Sequence, residues 1–221
     1  MTIEYIGFGK DATGGGSSPT EHLITSSAMS GEGSLPYILA NTSGNRVIRP
    51  NSTFWIDGDD DDDITDNTGN ITIEAVYNGN RFGIQRTGLR LNASNVILEN
   101  LRVFRGDADD STAGKAQTGD CLHIGPSATD ILIDHCHFAW SVDELVTIRG
   151  QDVTFNWCIL SHALANSIHA EGEHSKGIFS DDTGDNISLL NSIMIHNNDR
   201  NTVTNIGDWE IVNCLIANCL I

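Results

Sequence analysis

Nowhere in the 221 residues does an apolar run approach the roughly 18 to 20 that cross a bilayer, and the N-terminus lacks the basic and apolar regions of a secretory leader. No membrane insertion is expected. The missing leader leaves a mature or trimmed form, a virion protein or a cytosolic one. Positive charge is scarce: 12 Lys and Arg face 30 Asp and Glu, a formal net charge of −18. A field of that sign repels nucleic acid and anionic membranes, and tolerates an acidic polysaccharide only with cations between. Proline is rare, four against 22 glycines. No stretch carries a helical period of a dozen residues, which excludes a doubly wound α/β fold. The five cysteines include no Cys-x-x-Cys pair, so a zinc site has no framework.

What the chain has is repetition. Asp130-Ile131-Leu132-Ile133-Asp134-His135-Cys136-His137-Phe138 is answered by Asp152-Val153-Thr154-Phe155-Asn156-Trp157-Cys158-Ile159-Leu160. The template also fits Asn95 to Val103, Asn186 to Met194 and Asp208 to Ile216. Starts at 95, 130, 152, 186 and 208 give steps of 35, 22, 34 and 22, so each long step is the short one with a loop added. A period of this size marks stacked units.

Within each unit the second and fourth positions are apolar in all five copies: Val96 and Leu98, Ile131 and Ile133, Val153 and Phe155, Ile187 and Leu189, Trp209 and Ile211. Period two is a strand with one buried face. The phase then slips, and the next inward positions are the seventh and ninth. The residue at the joint is Asn100, His135, Trp157, Asn191 or Asn213, and Asn tolerates the left-handed backbone of a tight bend. The expected architecture is all-β, a single-stranded right-handed parallel β-helix. It spans 1–221 as one domain, with an N-terminal cap and first strands over 1–57, regular coils over 95–221, and loops near 107–118 and 162–172. The sequence stops at Asn218-Cys219-Leu220-Ile221 in strand-like residues without a polar cap, which suggests that C-terminal coils are lacking. Cys136, Cys158 and Cys214 share one inward position and read as buried thiols, with a Cys136–Cys158 disulfide as the alternative. The glycines of Tyr5 to Gly16 imply close backbone packing at a cap, and the acid run Asp57 to Asp63 reads as a solvated loop.

Several segments resemble the secreted pectate lyases. They are Gly7-Phe8-Gly9-Lys10-Asp11-Ala12-Thr13-Gly14-Gly15, then Gly31-Glu32-Gly33-Ser34-Leu35, with Pro36 where those enzymes usually carry Arg. Asn95 to Val103, Gly119-Asp120-Cys121-Leu122, and Asp134-His135-Cys136-His137-Phe138-Ala139-Trp140-Ser141-Val142-Asp143-Glu144 are similar too. The resemblance implies that Asp120 and Asp143 are calcium ligands, with Glu144 assisting. Hard oxygen donors suit that ion. Thr147 replaces a further carboxylate. The stretch His174-Ser175-Lys176 implies a substrate-carboxylate contact by Lys176, with His174 beside it. The stretch from His196 to Arg200 implies a substrate contact at His196 and makes Arg200 the proton abstractor. Thr202 and Asn205 depart from the family pattern.

The implied activity is calcium-assisted β-elimination on a polyuronate, with Arg200 and Lys176 catalytic. Arginine is an awkward base, since it holds its proton above about pH 12 in water. Hydrolysis would need two opposed carboxylates, and with so many acids a pair such as Asp181 and Asp182 decides nothing. The alternative is a non-catalytic carbohydrate-binding β-helix, such as a virion tailspike or surface adhesin. The expected partner is an acidic polysaccharide, the expected location secreted or extracellular, and the expected state a monomer, or a trimer if virion-associated.

Overall fold

The computed structural model describes residues 6–58, 63–107, 119–169, 171–174, 176–181, 183–204 and 207–219. Among them, the chain winds through three parallel sheets that form a parallel β-helix. The first sheet stacks Thr20–Ile24, Arg46–Pro50, Ile71–Glu74, Val96–Glu99, Thr129–Asp134, Gln151–Asn156, Asp185–Leu190 and Trp209–Val212 in sequence order. The second stacks Phe54–Asp57, Asn80–Gln85, Arg102–Phe104, His137–Ala139, Ile159–Ser161, Ile193–Ile195 and Leu215–Ala217. The third, which the repeat template does not include, stacks Ile64–Asp66, Leu89–Leu91, Leu122–Ile124, Glu144–Ile148, Lys176–Ser180 and Asn201–Thr204.

The sequence period is the register of the first sheet. Val96, Ile131, Val153, Ile187 and Trp209 pair in that order, as do Leu98, Ile133, Phe155, Leu189 and Ile211. Ile133, Phe155 and Leu189 are fully buried in one interior cluster. Lateral pairing of like with like keeps apolar columns continuous while the loops vary in length. The joint residues carry the expected backbone: φ is 59° at Asn100, 54° at His135, 53° at Trp157, 51° at Asn191 and 54° at Asn213. Outside the bend, Asn191 Nδ2 donates to Asn156 Oδ1 at 2.9 Å and Asn213 Nδ2 to Asn191 Oδ1 at 2.8 Å. These side-chain rungs tie three successive coils together.

All five cysteines are free. Cys136 and Cys158 are buried at the inward position, and burial pushes the Cys158 thiol up to about 12, where it is unreactive. At one end the helix Leu35–Asn41 starts on Ser34, whose Oγ accepts from Tyr37 N at 3.3 Å. It packs Leu35, Ile38 and Leu39 into the core. In the coil of Trp209–Val212 and Leu215–Ala217, the inward Ile211 and Ile216 are 43% and 41% exposed.

Two expectations are corrected. The glycine-rich N-terminal segment is not confined to a cap: it runs lengthwise along the outside of the first sheet. Phe8 N donates to Ser188 Oγ, Gly9 N to Thr154 Oγ1, Gly14 N to Asn95 Oδ1 and Gly15 N to Thr72 Oγ1, so this strap crosses coils far apart in sequence. The glycines permit that approach, since a Cβ on Gly9 would lie 2.3 Å from Ile131 O. In the acid run, residues 59–62 lie outside the described residues, Asp57 is exposed though paired, and only Asp63 is drawn out of solvent. Asp57 meets Arg86 at 2.6 Å, and half-buried Asp63 meets Arg105 at 2.8 Å and Arg90 at 3.1 Å. Most of the loop near 107–118 also lies outside the described residues.

Gly9→Ala should therefore cost about 1–3 kcal/mol by urea denaturation, because the added methyl displaces the strap from the sheet. Unchanged stability would show that the strap carries no load.

Candidate functional site

Each chemical side chain named from the sequence near the third sheet sits where a strand of that sheet begins. Asp120 precedes Leu122–Ile124, Asp143 and Glu144 open Glu144–Ile148, Lys176 opens Lys176–Ser180 and Arg200 precedes Asn201–Thr204. Register aligns these starts: Leu122 pairs with Val146, Glu144 with Lys176 and Ile178 with Asn201. Residues up to 80 positions apart thus share one flank of the rod. The cleft there, about 470 Å³, is lined by Asp120, His123, Asp143, Glu144, Thr147, Arg149, His169, His174, Phe179 and Arg200 together with Arg90 and Glu171.

Asp120, Asp143 and Glu144 bring carboxylate oxygens within 4.8 Å of one another. Glu144 N donates to Asp120 Oδ1 at 3.1 Å, which points the Asp120 carboxylate at the next coil. The Glu144 carboxylate forms an ion pair with the Arg200 guanidinium, and that guanidinium lies 4.5 Å from the centre of the Phe179 ring. His174 Nε2 sits 2.8 Å from Asp143 Oδ1. Burial pushes Asp120 up, against the pull of its hydrogen bond to His123 and with Glu144 adding to the rise. Burial pushes Asp143 up as well. Glu144 rises to about 7, through burial first and then through its hydrogen bond with Asp143 and that residue's charge. His174 is held down by burial, then by His169 and Lys176. A crowd of half-desolvated carboxylates with one guanidinium among them favours a bound proton or cation.

Among the described residues two donor groups could hold that cation, and both include Asp143. The group of Asp143, His169 and His174 has its imidazoles stacked face to face, centroids 3.8 Å apart and planes 6° apart. An ion shared between parallel rings would lie off both ring planes, away from the in-plane lone pairs that bind metals. The oxygen group of Asp120, Asp143 and Glu144 carries no such conflict, and its hard donors fit calcium.

Asp120, Asp143, Glu144, His174 and Arg200, named from the sequence, come together here. Lys176 opens a strand and is paired with Glu144 in register, but it does not line the cleft. His196 lies elsewhere: it is exposed, its ring is 4.8 Å from that of His162, and its Nδ1 meets Asn218 Nδ2 at 2.6 Å. Thr147, in the place of the expected carboxylate, is buried and hydrogen-bonds Asp120. Asn205 lies outside the described residues. His123 and His169 escaped the sequence reading. His123 stands three residues after Asp120, a spacing that could have flagged it, whereas His169 reaches the cleft only because the loop after Ser161 folds back over it.

The fold so defined is the parallel β-helix of the pectate lyases. The major cedar pollen allergen Jun a 1 matches with a TM-score of 0.68 at 18% identity, over 94% of this chain and 62% of its own. The pectate lyase PelN from Paenibacillus sp. 0602 matches with a TM-score of 0.64 at 17% identity, over 96% and 64%. The pectate lyase Bsp165PelA from Bacillus sp. N165, solved in complex with trigalacturonate, matches with a TM-score of 0.62 at 17% identity, over 95% and 67%. The chain therefore spans roughly three fifths to two thirds of the length of these structures. No family model matches the chain, and no curated protein does. No helix of the described residues is long and apolar enough to cross a membrane.

The raised Glu144 carboxyl sets a pH dependence. Between its ordinary 4.5 and about 7 the folded chain binds a proton that the unfolded chain releases, so this contribution to stability is complete below 4.5 and lost as pH rises through about 7. In chelator the melting temperature should fall across that window, and Glu144→Gln should flatten the slope. An identical slope in wild type and variant would remove Glu144 as the source.

Proposed function

We propose that the protein is a polysaccharide lyase that cleaves a polyuronate by calcium-assisted β-elimination. The observation that carries this reading is the carboxylate trio of buried Asp120, half-buried Asp143 and buried Glu144 with Arg200 against it, in an open cleft on a β-helix of pectate lyase type. Asp120, Asp143 and Glu144 would hold the ion. Calcium, when bound, supplies the positive charge that neutralises the sugar carboxylate and acidifies its C5 hydrogen.

The rest falls to the chain's own groups. His174, 2.8 Å from Asp143, orients that carboxylate. Lys176 adds positive charge for the substrate carboxylate from the strand beside Glu144. As the neutral guanidine, its own proton released to water, Arg200 takes the C5 proton, the C–H electron pair becomes the C4–C5 double bond, and the glycosidic oxygen leaves from C4 to be protonated by water. Phe179 holds the plane of the guanidinium. The ion pair with Glu144 occupies the Arg200 guanidinium, so abstraction requires Glu144 to turn away. An acidic polymer as substrate carries with it a secreted or extracellular location.

Two features favour the second reading, a carbohydrate-binding β-helix without turnover. They are the Glu144–Arg200 pair, which occupies the base, and Thr147 in place of a carboxylate. Polygalacturonate with calcium should give the rising ultraviolet absorbance of an unsaturated uronate, and chelator should abolish it. Arg200→Lys should lower kcat by about 100-fold or more while polymer binding persists. A folded protein that binds the polymer with no absorbance change under either condition would make the second reading the correct one.

A further inference from the structure

Among the described residues, the basic side chains with no carboxylate at ion-pair distance are Arg81, Arg102 and Lys176. On a chain of net charge −18 an unpaired arginine is unusual. Arg81 and Arg102 are both on the second sheet, away from the carboxylate cleft, and both line a separate surface cleft of about 170 Å³ with Trp55. Trp55 packs its indole over the backbone of Gly83, where a Cβ would lie 2.3 Å from the ring. From there Trp55 reaches Phe104, centroids 5.4 Å apart, and Phe104 reaches Trp140 at 5.0 Å. Trp55 is 38% exposed and Trp140 46%. Three rings from three coils thus form a track across the outside of the sheet. Its far end, Trp140, stands three residues before Asp143.

We propose that this face is a second saccharide site, in which Trp55, Phe104 and Trp140 stack on the sugar faces of an acidic oligosaccharide while Arg81 and Arg102 bind its carboxylates. Aromatic faces bury the C–H faces of pyranose rings, and a guanidinium fork matches a carboxylate in two parallel hydrogen bonds. Gly83 is what permits it: any side chain there would lift Trp55 off the sheet and break the track. The charge complementarity names the ligand class without reference to turnover, so the inference does not rest on the lyase reading.

The test is calorimetric titration of the full chain with a galacturonate hexamer in chelator, which removes cation-dependent binding at the carboxylate cleft. Saturable, salt-sensitive binding is expected. It should weaken about tenfold or more in Trp55→Ala and in Arg102→Gln, and persist in Asp143→Asn. Arg102 is exposed and makes no ion pair among the described residues, so its variant keeps the fold even if the Trp55 variant does not. The proposal is overturned if the hexamer does not bind, if Arg102→Gln binds as wild type, or if a neutral glucose hexamer binds equally well. None of these outcomes depends on whether polygalacturonate is cleaved.

Discussion

Parallel pairing in register is the constraint on which the rest depends. Each complete coil contributes a strand to three sheets, and every inner strand hydrogen-bonds to the coils before and after it. A coil displaced by one residue would turn Ile133, Phe155 or Leu189 from the shared interior to solvent. Because the penalty falls on whole columns, the register survives loops of very different length. It also tolerates left-handed backbone at His135 and Trp157, where no asparagine or glycine relieves the strain. The same rigidity lets loops diverge while the strand ends beneath them stay put.

Chemistry follows from where that rigid frame meets the loops. The starts of the third sheet's strands form one line, so any charged residue placed there joins a common cluster. The outcome is a group of carboxylates short of positive partners. Its members hold their protons more tightly than usual, and Glu144 is drawn at once towards its neighbours and towards Arg200. The arrangement stores an electrostatic deficit that a hard cation would relieve. The imidazoles above Asp143 stack face to face, an arrangement in which one ion cannot lie in both ring planes.

Much of the fold was legible in the residues because it is written locally. Alternation shows a strand with one buried face, and the phase slip after Asp134 or Asn156 shows the bend. The third sheet was harder to see. Its strands follow loops of unequal length and carry polar residues at their starts, so they dilute the period. Asp120, Asp143 and Arg200 could be named from their sequence surroundings. His123 could have been flagged by its spacing from Asp120, His169 could not, and the His196 ring lies tilted against that of His162 outside the cleft.

By itself, then, the sequence determined which faces are buried, where each coil bends, which coils are neighbours, and that the molecule is strongly acidic. Those properties depend on residue type at short separation. Tertiary structure alone decided that the glycine-rich segment straps the outside of the stack, that Glu144 meets Arg200, and that Trp55 lies beside Arg81 and Arg102. Each of these joins residues whose separation along the chain carries no periodic signal. They meet because coils stack about one strand width apart, and only the accumulated geometry of several coils sets which side chains face one another.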